Sequence, residues 1–237
     1  MDQPEIYLGA HFGKMILDGA EVWYMSTEKY VRAAVENFEQ NLAKSNQRLP
    51  TQCKTPIRSG HWSETDTLPV IKYEGLTQYH DMVGVIRWTF ELGWVDIILK
   101  AALMSMYLAL PHWIHLEQVF HVFGYLKENS KKIFALIPSI QQLMSIVLLP
   151  TIGMNSTRVA KKAIPADAPI PKGNVVSTHC FVDADHAGDR YTRRSQTGVL
   201  IFMNKAPKIW YSKQHKTIET RNLSSEFIAL NTATELV

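Results

Sequence analysis

The sequence of 237 residues lacks the features that mark secreted or membrane-spanning proteins. Its two cysteines, Cys53 and Cys180, are far apart and provide neither a metal-type pair nor a disulfide framework, so a reducing compartment is the default. The longest apolar run, Leu143 to Met154, is interrupted by Pro150 and is too short to cross a bilayer. Nothing at the N-terminus is typical of a signal peptide. We therefore expect no membrane partner and no secretion.

A strong charge of one sign is also absent. The formal net charge is +3, and this mild basicity permits nucleic-acid binding without arguing for it, because a local stripe of cations matters more than the total. The apolar residues make up 46% of the chain, which suits a folded protein. The length leaves room for one large domain or two small ones.

The most informative stretch is Phe181 to Asp189, which places three carboxylates at the end of an apolar run. The residues before Asp183 are β-formers and Ala187–Asp189 is typical of a turn, so Asp183 is predicted in or at the end of a short buried strand. A carboxylate there is costly unless it is paired or bound to metal. The alternative is that these acids are solvated residues of a strand end and a turn.

The residues that follow predict more strands and then one helix. Val199–Met203 has the length and content of a buried strand, and we expect further strands at Ile209–Ser212 and Thr217–Glu219. The period then changes to that of a helix, with Ser224 or Ser225 as its N-cap. One face of this helix carries Ile228, Ala229, Thr232, Ala233 and Leu236.

Four blocks of this region occur in the order and spacing of a known family: Val182–Gly188, Thr192–Gly198, Trp210–Lys213 and Ser225–Leu230. They resemble the ribonuclease H segment of copia-type retrotransposon polyproteins. The resemblance implies a nuclease that cuts the RNA strand of an RNA–DNA hybrid with two divalent ions, Mg²⁺ or Mn²⁺. Such chemistry needs several carboxylates that converge on paired hard cations.

Asp183 matches the family's metal ligand on the first strand, and Glu226 matches the ligand on the helix. An alternative exists for Glu226, because the helix macrodipole favours an acid in a first turn whatever its other role. Asp185 and Glu219 are lesser candidates. The family has two further aspartates in the second half of the fold, and the sequence reaches Val237 without them. We therefore expect an incomplete metal site and no cleavage by the isolated chain.

Four basic residues accompany the acids, namely Arg193, Arg194, Lys213 and Lys216. In a hybrid-cutting nuclease they would hold phosphates beside the cut. The alternative is that they are solvated residues of turns.

The N-terminal part predicts a strand over 5–10 and a hairpin around Asp18–Gly19, a dipeptide that favours tight turns. An amphipathic helix from Ser26 or Thr27 follows, with an apolar face made of Val31, Val35, Phe38 and Leu42. Residues Tyr7, Leu8 and Gly9 resemble the strand of copia-type reverse transcriptases that supports the primer end, which makes them candidate nucleic-acid contacts.

Helical periodicity continues from Tyr73, from 95 to 108 and from Pro111, which predicts a small bundle. This region resembles the thumb of the same reverse transcriptases, although Trp94 stands where those thumbs commonly have a basic residue. Arg87, His112 and His115 could contact nucleic acid, but a histidine beside a bundle is more often packed or solvated. No two aspartates are adjacent anywhere in the chain, which excludes the paired palm aspartates that polymerase chemistry needs.

The expected fold is α+β: an N-terminal hairpin and a helical, thumb-like bundle, then an incomplete ribonuclease H-like mixed sheet with one helix. We expect the end of a palm and a thumb in 1–136, a divergent connection and proline-rich linker in 137–174, and a truncated ribonuclease H-like domain in 175–237. The expected partner is an RNA–DNA hybrid or another nucleic acid, in a cytoplasmic virus-like particle or in the nucleus. The alternative is a non-catalytic remnant that binds nucleic acid weakly at most.

Overall fold

The computed structural model describes residues 6–17, 19–58, 68–136, 177–204 and 206–237. The strands are β1 (Ile6–Tyr7), β2 (Ala10–Leu17), β3 (Ala20–Ser26), β4 (Ile133–Leu136), β5 (Thr178–Asp185), β6 (Gln196–Met203) and β7 (Ala206–Gln214). The helices are α1 (Glu28–Lys44), α2 (Tyr73–Glu91), α3 (Ile98–Ser105), α4 (Trp113–Glu128) and α5 (Asn222–Leu236). Together they form an α+β architecture with two antiparallel sheets.

The N-terminal sheet has the order β1-β2-β3-β4. The predicted hairpin between β2 and β3 is confirmed, with Leu17 paired to Ala20 and Gly19 at a φ of +79°. The single strand predicted over 5–10 is wrong, because the chain turns back at Leu8 and Gly9. Both residues have positive φ angles, 52° and 88°, which suit the two-residue turns that join tightly paired strands.

Strand β4 follows α4 and pairs with β3, so that Met25 lies opposite Phe134. The local sequence pattern did not predict this strand. The pairing joins segments that are far apart in the chain, and local patterns of residues carry little information about such contacts.

The helices enclose the larger of two apolar cores. The predicted buried face of α1 is confirmed, since Val31, Val35, Phe38 and Leu42 are all buried. The helix predicted from 95 to 108 is shorter: a 3-10 turn at Val95–Ile97 precedes α3, which ends at Ser105. Helix α4 begins at Trp113, shortly after the predicted start at Pro111.

The C-terminal sheet has the order β5-β6-β7 and is antiparallel throughout, so the expected mixed sheet is not seen among the described strands. No strand forms at 217–219, where the sequence predicted a short one. Helix α5 packs over β5 and β6. The apolar contact there includes Val182 and Val199 from the sheet and Ala233 and Leu236 from the helix.

The helical bundle contacts the C-terminal sheet at β7. The indole Nε1 of Trp210 donates a hydrogen bond to the carbonyl oxygen of Phe90 at 2.9 Å, and its ring lies 5.7 Å from that of Phe134. The predicted connection and linker at 137–174 lie outside the described residues. None of the described helices combines the length and apolar character needed to cross a bilayer.

Candidate functional site

Asp183 lies on β5, opposite Gly198 of β6, and its side chain is exposed. Side chains alternate between the two faces of a strand. Because Val182 packs in the cluster with α5, Asp183 belongs to the other face of the sheet. There it lines an open cleft of about 350 Å³ between the sheet and Ile98 and Leu99 of the helical bundle.

Asp185 lines the same cleft, two residues further along β5. Its carboxylate lies against Gly188, where an added Cβ would come within 1.9 Å of Asp185 Oδ2. A side chain at 188 would therefore require the Asp185 carboxylate to move. The candidate acids Asp183 and Asp185 thus share one face and one cleft.

Glu226 is half-buried near the start of α5. The helix begins at Asn222 with Arg221 as the N-cap residue, so the expected cap at Ser224 or Ser225 is wrong. Ser225 is fully buried, and its hydroxyl donates to the carbonyl oxygen of Asn222 at 2.7 Å. The hydroxyl oxygen of Ser225 also lies 3.2 Å from Nδ1 of His186. This contact joins the start of α5 to the turn after β5.

Strand β5, which carries Asp183, and helix α5, which carries Glu226, are therefore in contact. One carboxylate belongs to the sheet and the other to the helix layer. Helix α5 lies on the face of Val182, and Asp183 points to the opposite face. Strand β5 is the edge strand of the described sheet. The two carboxylates can approach each other only around that edge.

Metal binding needs more ligands than this pair supplies. Carboxylate oxygens are suitable donors for Mg²⁺ or Mn²⁺. Within the described ranges, however, no group of three or more histidine, cysteine, aspartate or glutamate side chains is arranged to hold a metal ion. The donor chemistry of Asp183 and Glu226 fits a hard cation, but the number of described ligands does not complete a site for one.

Glu219, a lesser candidate for a metal ligand in the sequence analysis, is buried and in contact with His215 and Thr217. Its Oε2 lies 3.1 Å from Nδ1 of His215, and its Oε1 accepts a hydrogen bond from Thr217 at 2.8 Å. Burial acts to raise the pKa of Glu219, but hydrogen bonds from Ser195 and Thr217 and the adjacent imidazole of His215 outweigh it and lower the pKa. Nε2 of His215 lies 2.6 Å from Oγ1 of Thr197. Sequence reasoning missed this network, although the spacing of His215 and Glu219 was a signal for a local pair.

The basic residue Arg193 lies on a loop that is held by Asp189. The carboxylate of Asp189 accepts hydrogen bonds from the backbone N–H groups of Tyr191 and Thr192 and from the amide of Gln214. Burial acts to raise the pKa of Asp189, and these hydrogen bonds outweigh it and lower the pKa. Arg193 has a φ of 57° and an exposed side chain.

The other predicted phosphate contacts lie at the same end of the sheet. His215 donates its backbone N–H to the carbonyl oxygen of Ser195, which brings the neighbours Arg194 and Lys216 close together. Lys213 is exposed near the end of β7, opposite Thr197. This end of the sheet also carries Asp185. Because directly paired residues share a face, Lys213 lies with Thr197 and Ala184 on the face of α5, across the sheet from the cleft that Asp183 lines.

Tyr7, Leu8 and Gly9 form the tip of the β1–β2 hairpin in the other sheet. The side chains of Tyr7 and Leu8 are exposed. Gly9 approaches Tyr30 of α1, since an added Cβ would lie 3.6 Å from that ring. The hairpin tip is therefore accessible to solvent.

Of the three bundle residues that could contact nucleic acid, Arg87 is exposed, His112 is half-buried and His115 is packed. His115 is buried, stacks on Tyr107 at 3.8 Å, and accepts a hydrogen bond from the backbone of His112. Trp94 is also buried, and its Nε1 donates to Oγ1 of Thr27 at 2.8 Å. Trp94 therefore joins α1 to the bundle, which explains why a tryptophan suits this position.

Comparisons with known proteins give a partial match. A segment of 68 residues, 28% of this chain, is 32% identical to the retrovirus-related Pol polyprotein from transposon RE1 and 34% identical to that from transposon RE2, both of Arabidopsis thaliana. A segment of 55 residues is 38% identical to secreted RxLR effector protein 161 of Plasmopara viticola, of which it covers 39%.

The matched segment spans 5% of each of the two plant polyproteins. No protein-family profile matches the chain, and no solved structure matches it. The matched segment is nevertheless similar to two retrotransposon polyproteins at a comparable level of identity. It indicates that this chain has a retrotransposon Pol-like origin.

Proposed function

We propose that the chain is a fragment of a retrotransposon reverse transcriptase/ribonuclease H polyprotein. Residues 1–136 would correspond to the end of a palm and a thumb, and residues 175–237 to the opening half of a ribonuclease H-like domain. The class degrades the RNA strand of RNA–DNA hybrids by two-metal hydrolysis. In this chain Asp183 and Glu226 take the positions of two of its metal ligands.

The main support is the arrangement of β5 and α5. Three antiparallel strands are followed by a helix that packs on the first strand, with Asp183 on that strand and Glu226 near the start of the helix. This is the order in which the sequence blocks resemble the family. The similarity to two Pol polyproteins supports the same origin.

The proposal includes the absence of cleavage by the isolated chain, because two carboxylates are too few to hold the paired ions. The test is incubation of a labelled RNA–DNA hybrid with Mg²⁺ or Mn²⁺ and either the chain or its Asp183→Asn variant. We expect no difference between the two. Metal-dependent cleavage that disappears in the variant would refute this part of the proposal.

A weak nucleic-acid-binding module is the second candidate function, because Arg193, Arg194, Lys213 and Lys216 lie at one end of the sheet. Removing one phosphate contact lowers the slope of log affinity against log salt by about one unit. Lys213→Ala is therefore expected to weaken binding to a hybrid and to lower that slope. Lys44→Ala, an exposed lysine of α1, is the matched control and should leave both unchanged.

A further inference from the structure

Three side chains of the helical bundle meet around the ammonium group of Lys132, the residue just before β4. Trp94 directly precedes the 3-10 turn before α3, Asp96 lies within that turn, and Tyr125 lies on α4. The ammonium nitrogen is 4.7 Å from the centre of the Tyr125 ring and 5.3 Å from that of Trp94. The two rings are nearly perpendicular, at 82°, so they form two walls of one site.

Hydrogen bonds complete this site. The Lys132 ammonium donates to Oδ2 of Asp96 at 2.7 Å and to the hydroxyl of Tyr125, which in turn donates to Asp96. A cation is attracted to the negative faces of aromatic rings, and a carboxylate adds a charge-assisted hydrogen bond. The three bundle residues therefore provide the contacts that recognise an alkylammonium group.

Contacts other than those with Lys132 hold the two rings in place. The indole Nε1 of Trp94 donates a hydrogen bond to Oγ1 of the buried Thr27 at 2.8 Å. Tyr125 is fixed by its own hydrogen bond to Asp96. A cavity of about 100 Å³ adjoins the site and is lined by Trp94, Asp96 and Lys132 among others. Removing the lysine side chain should therefore leave the site formed and open.

A second lysine shows what distinguishes this site from an ordinary surface contact. Lys14 also lies 5.3 Å from the centre of a tryptophan ring, that of Trp23, and pairs with Glu21 at 2.8 Å. Among the described residues, however, no second ring faces Lys14, and Trp23 is 36% exposed whereas Trp94 is 4% exposed. The attraction of a cation to a ring is stronger where water is excluded. The site at Trp94 should therefore bind a free ammonium, and the contact at Trp23 should not.

We propose that Trp94, Asp96 and Tyr125 form a binding site for a primary alkylammonium, and that Lys132 occupies this site within the chain. The ligand has to be a primary ammonium because the hydrogen bonds to the carboxylate and the phenol need N–H groups. Since Lys132 directly precedes β4, its occupancy ties that strand to the bundle. A tethered ammonium has a high effective concentration, so a free one enters only when Lys132 is removed. This site does not depend on the proposed nuclease ancestry.

The site is tested by restoring in solution what a substitution removes. Lys132→Ala deletes three carbons and a nitrogen, which are the heavy atoms of n-propylammonium. NMR of the Trp94 indole N–H, assigned by its loss in Trp94→Phe, follows a titration of the full chain with n-propylammonium chloride at constant ionic strength. We expect saturable binding to Lys132→Ala with a Kd on the order of 10 mM. Binding to the unsubstituted chain should be weaker by about tenfold or more.

Two controls separate this site from unspecific association. The uncharged 1-propanol has a similar shape and should give no saturable shift with Lys132→Ala. Lys14→Ala is the matched variant, and its Trp23 indole should not respond to n-propylammonium. Absence of saturable binding to a folded Lys132→Ala chain would overturn the site. Equal binding of 1-propanol, or equal binding of n-propylammonium by Lys14→Ala, would overturn it as well.

Hydrogen exchange tests whether Lys132 ties β4 to the bundle. Lys132→Ala should speed the exchange of the β4 backbone amides by about fivefold or more relative to Lys131→Ala, a substitution of the exposed neighbouring lysine. Free n-propylammonium fills the site without a tether and should not reverse this effect. Equal exchange in the two variants, or full reversal by n-propylammonium, would overturn the tie.

Discussion

The helical bundle and the C-terminal sheet differ in how completely each covers its apolar residues. The bundle encloses a large core in which Tyr79, Phe123 and Leu126 are almost fully buried. In the C-terminal sheet the cluster under α5 has three buried members, Val199, Ile201 and Ala233. Since burial of apolar area is the main source of stability, the bundle should be the more stable region, and the sheet should depend more on its hydrogen bonds.

The largest effect should come from a pair of phenylalanines, one in each region. Phe123 is fully buried and packs edge-on against Phe38 at 4.9 Å. Phe123→Ala should lower the free energy of unfolding by about 3–5 kcal/mol in urea titration. Phe227→Ala, on the exposed face of α5, should cost about 0.5 kcal/mol or less. Equal losses would contradict the comparison.

Two helical glycines sharpen the comparison within the bundle. A Cβ at Gly124 would lie 2.5 Å from the carbonyl oxygen of Pro50 and 2.8 Å from Sγ of Cys53. Gly124→Ala should therefore cost about 1–3 kcal/mol, because the loop after α1 must move. The space at Gly84 of α2 is open, so Gly84→Ala should stabilise by about 1 kcal/mol. Thermal unfolding of both variants measures the difference.

The two regions should respond to opposite extremes of pH. In the C-terminal sheet the pKa values of Glu219 and Asp189 are lowered from 4.5 and 3.8. A lowered pKa contributes stability above the unfolded pKa, and that stability is lost as the pH falls through the folded value. Acid should therefore destabilise the C-terminal sheet before it destabilises the bundle. Glu219→Gln should make the stability of the sheet less dependent on pH below about pH 4.5.

The bundle should instead lose stability in alkali. Burial and a hydrogen bond to Asp96 raise the pKa of Tyr125 from 10.0. Burial acts to lower the pKa of Lys132, but the interactions with Asp96 and Tyr125 outweigh it and raise the pKa from 10.5. A raised pKa contributes stability below the unfolded value that is lost as the pH rises through the folded value. Tryptophan fluorescence against pH should show this loss in the native chain and a smaller one in Tyr125→Phe.

The smallest effect concerns the exposed ion pair of α1. Arg32 lies 3.2 Å from Glu28, one turn away. Arg32→Ala should cost about 0.2–0.5 kcal/mol, because exposed pairs gain little in water. The loss should vanish in about 1 M salt, where charges are screened over about 3 Å. A loss that persisted at high salt would mean that the arginine stem, and not its charge, matters.

Local patterns predicted the parts of the fold that rest on local physics. The buried face of α1 and the turn at Gly19 followed from helical periodicity and from the residues that tolerate positive φ. The start of α5 was misplaced because Ser225 is buried and bonded to Asn222 and His186 and does not serve as a cap. No strand forms at Thr217, where the side-chain hydroxyl instead donates a hydrogen bond to the buried Glu219.

The candidate site was predictable only as a set of residues. Sequence placed Asp183 on a strand and Glu226 on a helix, and the structure agrees with both placements. It could not say which face of β5 Asp183 would occupy. That depends on where Val182 packs, a non-local choice, although the small residue Ala184 on the same side was a signal for the packed face.

The most direct test of the account is Mn²⁺ binding to the full chain, followed by electron paramagnetic resonance. If Asp183 and Glu226 are two remaining ligands of an incomplete site, the chain should bind Mn²⁺ with a Kd on the order of 1 mM, and Asp183→Asn and Glu226→Gln should each weaken binding further. Micromolar binding, or the same affinity in all three proteins, would contradict it.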